Sequence, residues 1–363
     1  MPLRVAMVGC GRMAGFIDRE VEHYPAIQLP YSHAAAFAAN PDTEMAACCA
    51  RHQESVDRFR AKWNCPRGYL DWKEMIERER PDIVSITTHA DLHAPVTIFA
   101  AEHGVKGIYC EKAIALSLAE ADLAVAACRR AGAHLMIGHL RRWHNVHVAA
   151  AEFIRSGAVG ALVAIHTLHT GEIFHTGTHS FDLVNMYAGA EPAFVQAHVD
   201  TPGFDRTATV YERDAAAVGF IRYKNGVTAF VHGRTPRPPL FDQEFLCENG
   251  VIRVMNNGVD WELWTLQEWK RPEFKDGPVW KEVPKIATLQ RAPLPFSTEV
   301  KSMTAAAVAD LVQAVRTGRD TRSTGEDGRL AFELAMAFVE SERQGGARVP
   351  LPLAQRDIVC RSR

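Results

Sequence analysis

Residues 9–14 read Gly9-Cys10-Gly11-Arg12-Met13-Ala14, a GxGxxA spacing that follows the strand candidate Leu3–Val8 and opens a helical stretch. Each small residue has a physical task in that setting. Gly9 permits a tight turn, Gly11 lets the main chain approach a pyrophosphate, and Ala14 lets the helix pack closely on the strand. Free amides at the helix start, around Arg12 and Met13, then hold the anion. In isolation the spacing marks only a glycine-rich turn; between a strand and a helix it predicts dinucleotide binding. The second strand ends in Cys48-Cys49-Ala50-Arg51-His52, with no carboxylate to grip an adenosine 2′-hydroxyl. Arg51, with His52, suits a 2′-phosphate, so NADP is favoured and NAD is the alternative. The plainer reading of Arg51 is a solvated strand end.

A second set of residues suits proton transfer. His175 and His179 are four apart and share one face if the segment is helical. Adjacent imidazoles resist double protonation, which keeps one neutral and basic near pH 7. Asp182, three residues on, either orients the His179 ring or is a capping carboxylate. His166, His169, His175 and His179 have no cysteine partners and no HExxH spacing, so no metal is expected. Arg141 and Arg142 either contact substrate or cofactor or cap a connection between domains. Trp261, Trp264, Trp269 and Trp280 read as cover for a sheet face or a contact with another copy, with sugar stacking the sharper alternative.

The elements that must position these groups fill 363 residues, enough for two domains with a large core. Forty-one basic and forty-three acidic side chains leave a net charge of −2, no footprint for nucleic acid or an anionic membrane. No apolar run approaches a membrane span, and the N-terminus lacks a signal peptide. Eight cysteines without CxxC or framework spacing suggest a reduced, cytoplasmic protein.

The first 140 residues alternate apolar strand candidates (Leu3–Val8, Glu44–Cys49, Asp82–Thr87, Gly107–Cys110, His134–Ile137) with helical stretches, the reading of an α/β, doubly wound parallel sheet. One helix, Leu118–Ala131, opens on the capping box Ser117-Leu-Ala-Glu120. Beyond residue 160, Asn-Gly pairs at 225–226, 249–250 and 257–258 punctuate strand-like runs and predict hairpins of an antiparallel sheet. Helices over Thr298–Arg316 and Glu326–Gln344 close the chain, and Lys270–Phe296 is expected to be a long loop. The division is 1–138 and 139–363.

Further motifs run in order: Glu111-Lys112 after the strand Gly107–Cys110, Gly138-His-Leu-Arg141-Arg142-Trp143, His175-Thr-Gly-Thr-His179-Ser-Phe-Asp182, and Thr324-Gly-Glu-Asp-Gly328. With the GxGxxA start, the chain resembles the glucose–fructose oxidoreductase, inositol dehydrogenase and rhizopine catabolism (Gfo/Idh/MocA) family over nearly its whole length. The resemblance implies a Rossmann domain followed by an α+β domain with an open antiparallel sheet. It also implies reversible oxidation of a sugar, glycoside or cyclitol hydroxyl by a nicotinamide nucleotide. Lys112 then matches the lysine facing the substrate hydroxyl, and His179 the acid/base histidine, with His175 standing where the family commonly has Asp. Glu111, Thr88 and His93 match the nicotinamide ribose side, and Arg141, Trp143 and Asp182 are the expected substrate contacts.

Four departures from the family pattern stand out. Ala113 replaces the proline after Lys112, so a trans bond is expected there. Thr88-His89-Ala90 replaces Thr-Pro-Asn, and His175 and Ala50 each replace an Asp. Two other classes stay open: a hydrolase or lyase that retains NAD, and a non-catalytic nucleotide-binding regulator. The open sheet is expected to join copies into a homodimer or homotetramer.

Overall fold

Ile83–Ile86 and Gly107–Cys110 are buried on both faces, the condition under which a strand reads as an unbroken apolar run. The computed structural model describes residues 1–234, 240–268 and 287–361. Among these, β1 (Leu3–Val8), β2 (Thr43–Cys49), β3 (Arg67–Tyr69), β4 (Ile83–Ile86), β5 (Gly107–Cys110) and β6 (His134–Ile137) form one sheet in the order 3-2-1-4-5-6. All its pairings are parallel. The expected doubly wound sheet is present, with its switch point between β1 and β4, where such folds bind ligands.

Alternation along the strands sends side chains to two cores. Ala6, Val84 and Ile108 face α5 (Trp72–Glu79), α6 (His93–Glu102) and α7 (Leu118–Ala131). Met7, Ile83 and Tyr109 face the other way. There α3 (His33–Ala39), α4 (Gln53–Trp63) and a helix from the far end of the chain, α10 (Met303–Thr317), cover them. The first sheet is thus completed by residues beyond the expected division at 138. The glycine turn leads into a helix of one turn, α1 (Arg12–Gly15), and a second short one, α2 (Asp18–Val21). The capping box is half formed: Ser117 accepts the Glu120 N–H at 3.2 Å, while the Glu120 carboxylate accepts the Leu116 N–H at 3.1 Å.

The second sheet holds β7 (Leu162–Thr170), β8 (Pro192–Val199), β10 (Ala217–Tyr223), β11 (Thr228–Arg234), β12 (Phe241–Cys247), β13 (Gly250–Met255), β14 (Asp260–Glu268), β15 (Ala287–Ala292) and β16 (Val349–Pro350). A small ladder joins β9 (Val210–Tyr211) to β17 (Val359–Cys360). All three Asn-Gly pairs sit between antiparallel neighbours, as expected. The sheet is mixed, however, because β7 runs parallel to β11. β7 is hard to see in the sequence, since His166, Thr167 and His169 interrupt its apolar pattern. Residues 287–292 of the expected loop form β15, and the rest of it before 287 lies outside the described residues, as do Trp269 and Trp280.

Helices α8 (Asn145–Arg155), α9 (Thr178–Ala188) and α11 (Gly325–Arg343) cover one face of the second sheet, with Phe181 of α9 meeting Phe338 of α11 at 4.9 Å between ring centres. The opposite face is open. A row of Phe220, Phe230, His166, Glu244, Arg253 and Glu262 crosses it, one residue per strand from β10 to β14, with Phe194 of β8 set diagonally against Phe220 at 6.0 Å between ring centres. Trp264 stands half-exposed on that face, whereas Trp261 points into the core. Among the described residues no helix is long and apolar enough to cross a membrane.

Candidate active site

The glycine turn ends β1 at the switch point. Gly9 has φ +99°, and a Cβ there would stand 2.8 Å from the Thr87 carbonyl, so only glycine fits. Gly11 is exposed, caps α1, and has open space where its Cβ would be. Ala14 is buried beneath the turn, and a Cβ on Gly15 would collide with the Trp63 indole, a small-residue requirement the GxGxxA pattern does not include. The result is an uncovered stretch of main chain beside the crevice, which fits a pyrophosphate. Arg12 is exposed and paired with Glu20 at 2.6 Å, while Met13 is half-buried. Arg51 and His52 are exposed at the end of β2, Arg51 without an ion pair among the described residues.

β5 delivers the next group. Glu111 is buried, and its Oε1 lies 3.0 Å from His33 Nε2, whose Nδ1 lies 2.8 Å from Ser85 Oγ. His33 also stacks on Tyr109 at 3.9 Å. Burial pushes the Glu111 carboxyl up, but His33 and Lys112 outweigh it and hold the group below the usual range. Gly138 leaves room for that carboxylate, since a Cβ there would stand 3.2 Å from Oε1. The Lys112–Ala113 peptide is cis, against the expected trans bond. Both ring nitrogens of His93, expected on the ribose side, are engaged by main-chain carbonyls. His93 is buried, with Nδ1 2.6 Å from the Ala113 carbonyl and Nε2 3.1 Å from the Thr88 carbonyl, so it ties the two strand-end loops together. Thr88 is half-buried, its hydroxyl donating to the His89 carbonyl at 3.1 Å.

The second domain approaches through a wide turn, Ile173–Gly177, that runs into α9. Asp214 pins this turn by accepting N–H groups of Phe174 at 3.0 Å and His175 at 2.7 Å. Burial pushes the Asp214 carboxyl up to about 6. The His175 carbonyl then accepts a hydrogen bond from Lys112 Nζ at 2.8 Å, a direct link across the cleft. The His175 side chain is exposed, and His179 is half-buried one turn further on. Burial, followed by the charges of Arg141 and Lys112, holds the His179 imidazole well below its ordinary value, so it is neutral at pH 7. Burial and Arg141 likewise lower Lys112, against Glu111 and Asp214. Arg141 donates to Asn257 Oδ1 at 2.6 Å and lies 3.5 Å over the Phe241 ring. Together with Tyr31, His144, His147 and His179 it lines a cavity of about 50 Å³.

Two expected substrate contacts lie elsewhere. Asp182 is fully buried and accepts Arg142 Nε at 2.8 and 2.9 Å, so it does not orient His179. Arg142 also reaches Asp327 at 3.0 Å. The ring packed edge-on against His179 is His139, at 5.5 Å between centres, with its Nδ1 3.6 Å from Asp182. Trp143 is buried in the core under α10 and donates from Nε1 to Asp310 at 3.0 Å. The four spaced histidines are split, because His166 faces outward on the open sheet while His169 is buried against Ser180 at 3.0 Å. Of the groups unforeseen in the sequence, His139 carries a signal, its place in the Gly138-His-Leu-Arg141 motif. Asp214 and His33 carry none.

Comparison with known proteins places these features in context. The family described as "Oxidoreductase family, NAD-binding Rossmann fold" matches residues 3–139. A D-apiose dehydrogenase of Paraburkholderia graminis is 24% identical, over 94% of this chain and 88% of its own length. An inositol 2-dehydrogenase of Rhizobium meliloti is 23% identical, over 85% of this chain and 92% of its own. An oxidoreductase from Agrobacterium radiobacter, solved in complex with NAD+, L-tartaric acid and magnesium, superposes with a TM-score of 0.73 at 20% identity, covering 96% of this chain and 98% of that one.

The Arg142–Asp182 pair makes a testable demand. Arg142→Met leaves the Asp182 carboxylate buried and unpaired, an expected loss of about 3–5 kcal/mol. Burial already raises Asp182 to about 6, and removing the guanidinium raises it further. A carboxyl raised above its unfolded value of about 3.9 contributes stability that is present at low pH and lost as pH rises through the folded value. Thermal unfolding of variant and wild type should therefore differ most near pH 8 and converge toward pH 5. A gap independent of pH contradicts this assignment.

Proposed function

Because this chain belongs to the Gfo/Idh/MocA family of NAD-binding Rossmann-fold oxidoreductases, we propose that it moves a hydride between a nicotinamide dinucleotide and the CH–OH carbon of a sugar, glycoside or cyclitol. One observation carries the reading: Lys112 of the Rossmann side and the His175–His179 segment of the second domain meet across one cleft, 2.8 Å apart at the His175 carbonyl. Gly9, Gly11 and Ala14 hold the pyrophosphate, with Arg12 and Met13 at its side and Thr88 and Glu111 toward the ribose. The bound nucleotide supplies the hydride acceptor or donor.

The remaining work falls to this chain's side chains. Lys112 donates a hydrogen bond to the substrate oxygen and stabilises the charge that develops there. His179, neutral in its buried setting, accepts the hydroxyl proton in oxidation and returns it in reduction. His175 stands beside them, and Arg141 contacts the substrate. Asp214 and His93 act through others, fixing the His175 turn and the Lys112–Ala113 peptide. The dehydrogenases among the relatives support this reading over a hydrolase, a lyase or a regulator.

Three finer points complete it. The cofactor is NADP, since Arg51 stands exposed at the end of β2, without an ion pair among the described residues and free to take a 2′-phosphate; the NAD+ of the Agrobacterium radiobacter neighbour marks the alternative. The open sheet face joins two or four copies, its half-exposed aromatic row being apolar surface that a monomer rarely leaves bare. Seven of eight cysteines are buried, which supports a reducing, cytoplasmic setting.

Each point has a measurement. His179→Ala should cost roughly 10²- to 10⁴-fold in turnover with nucleotide affinity nearly unchanged, and Lys112→Ala as much or more. An undiminished rate in His179→Ala moves the base to His175. Calorimetric titration should give NADP about tenfold or more tighter binding than NAD, a preference that Arg51→Ala removes, since a charge-assisted phosphate contact is worth about 1.5–3 kcal/mol. Equal wild-type affinities refute the assignment. Sedimentation at micromolar protein should give a dimer or tetramer, and Phe230→Glu should dissociate it; a monomer alone in the wild type refutes the interface.

A further inference from the structure

We propose that the substrate carries a carboxylate, held by Arg141 in the cavity beside His179, so that the enzyme acts on acidic sugar derivatives of the aldonic or uronic type. This deepens the hydride-transfer reading and rests on it.

The argument begins with two neighbouring arginines treated differently. Arg142 is buried against two carboxylates, Asp182 and Asp327. Among the described residues Arg141 has none. Its one hydrogen-bond partner among them is the neutral amide of Asn257, and its flat face lies on Phe241. The carboxylates of the neighbourhood are already engaged, Glu111 by His33 and Asp214 by main-chain N–H groups. A guanidinium offers five N–H donors. Arg141 is half-buried, so part of its hydration is lost without a carboxylate to replace it, and its free donors remain available to an anion entering the cavity it lines.

The surroundings fit that ligand. His144 Nε2 and His179 Nδ1 are buried without hydrogen-bond partners among the described residues, beside a cavity that both rings line. At about 50 Å³ the space admits a few heavy atoms, the size of a carboxylate and too small for a sugar ring. The ring therefore lies outside it, toward Lys112, with the acid group anchoring one end. A planar carboxylate takes a guanidinium through two parallel bonds, which fixes orientation as well as charge. The cofactor's pyrophosphate belongs elsewhere: Arg141 follows β6, three strands from β1 and its glycine turn, and strands spaced about 4.8 Å apart put roughly 14 Å between the two strands. Neutralising Arg141 would also relieve the positive field that keeps His179 weakly basic.

The test pairs acids with their neutral counterparts. D-glucuronate, D-galacturonate and D-gluconate are compared with D-glucose, D-galactose and methyl D-glucuronate ester. Binding to the nucleotide-loaded protein is read by calorimetry and turnover by cofactor absorbance, for wild type, Arg141→Met and Arg141→Lys. At least one acid should bind tenfold or more tightly than its neutral partner. That preference should fall at least tenfold in Arg141→Met and recover in part in Arg141→Lys, with nucleotide affinity changed less than threefold. Equal binding of acids and neutral sugars by the wild type, or no binding of any acid, overturns the proposal whether or not the variants fold. So does a parallel loss of nucleotide affinity in Arg141→Met, which would assign the anion to the cofactor. An acid preference without turnover of any alcohol by either nucleotide refutes the dehydrogenase reading and keeps the carboxylate site; turnover of neutral sugars with no acid preference does the reverse.

Discussion

One buried guanidinium holds the cleft in shape. Arg142 leaves the end of β6, takes the Asp182 carboxylate of α9 on its Nε, and takes Asp327 of α11 on Nη2. It also donates to the Arg322 carbonyl at 3.0 Å. Three segments far apart in the chain, around residues 142, 182 and 322–327, are thus tied at a buried point, and an ion pair there tolerates little change of geometry. His179 lies one turn before Asp182 on the same helix, so the placement of the imidazole relative to Lys112 follows from this tie. The Lys112 bond to the His175 carbonyl is the visible result.

A division of labour between charged groups runs through the cleft. Groups that build it are paired: Glu111 with His33, Asp182 with Arg142, Asp214 with the amides of the His175 turn. Groups that face the crevice are not: among the described residues Lys112 hydrogen-bonds the His175 carbonyl and Arg141 the Asn257 amide, both neutral. This accounts for a neutral His179, since two nearby cations and burial all oppose its protonation. It also explains why the histidines of this chain, sixteen in all, do not behave as one set. Their settings range from the outward-facing His166 to the fully enclosed His93 and His147.

Much of the frame was legible because local chemistry forces it. Gly9 announces its turn since no other residue tolerates that main chain, and the Asn-Gly pairs at 225–226 and 257–258 announce hairpins likewise, Gly226 and Gly258 having φ +93° and +89°. Lys112 and His179 are legible through ordered motifs. What escaped the sequence depends on partners far apart in it. Nothing near Asp182 says that its counter-ion stands forty positions earlier, and nothing near Asp214 says that it grips the His175 turn. β7 escaped because a strand at the middle of a sheet here carries histidines and threonines, satisfied by Ser180 and by neighbouring strands, where an apolar pattern was sought.

The packing of α10 has a consequence in time. Met303, Val308, Leu311 and Val312 complete the core beneath Met7, Ile83 and Tyr109, yet they are synthesised ~165 residues after β6. At about 5–20 residues per second, the first sheet waits some ten to thirty seconds on the ribosome with one apolar face incompletely covered. The N-terminal half therefore has to emerge, fold in part and stay unaggregated until the chain's end arrives. The order of the genetic message thus leaves this face of the first sheet to be closed last, an interval of which the finished protein keeps no trace.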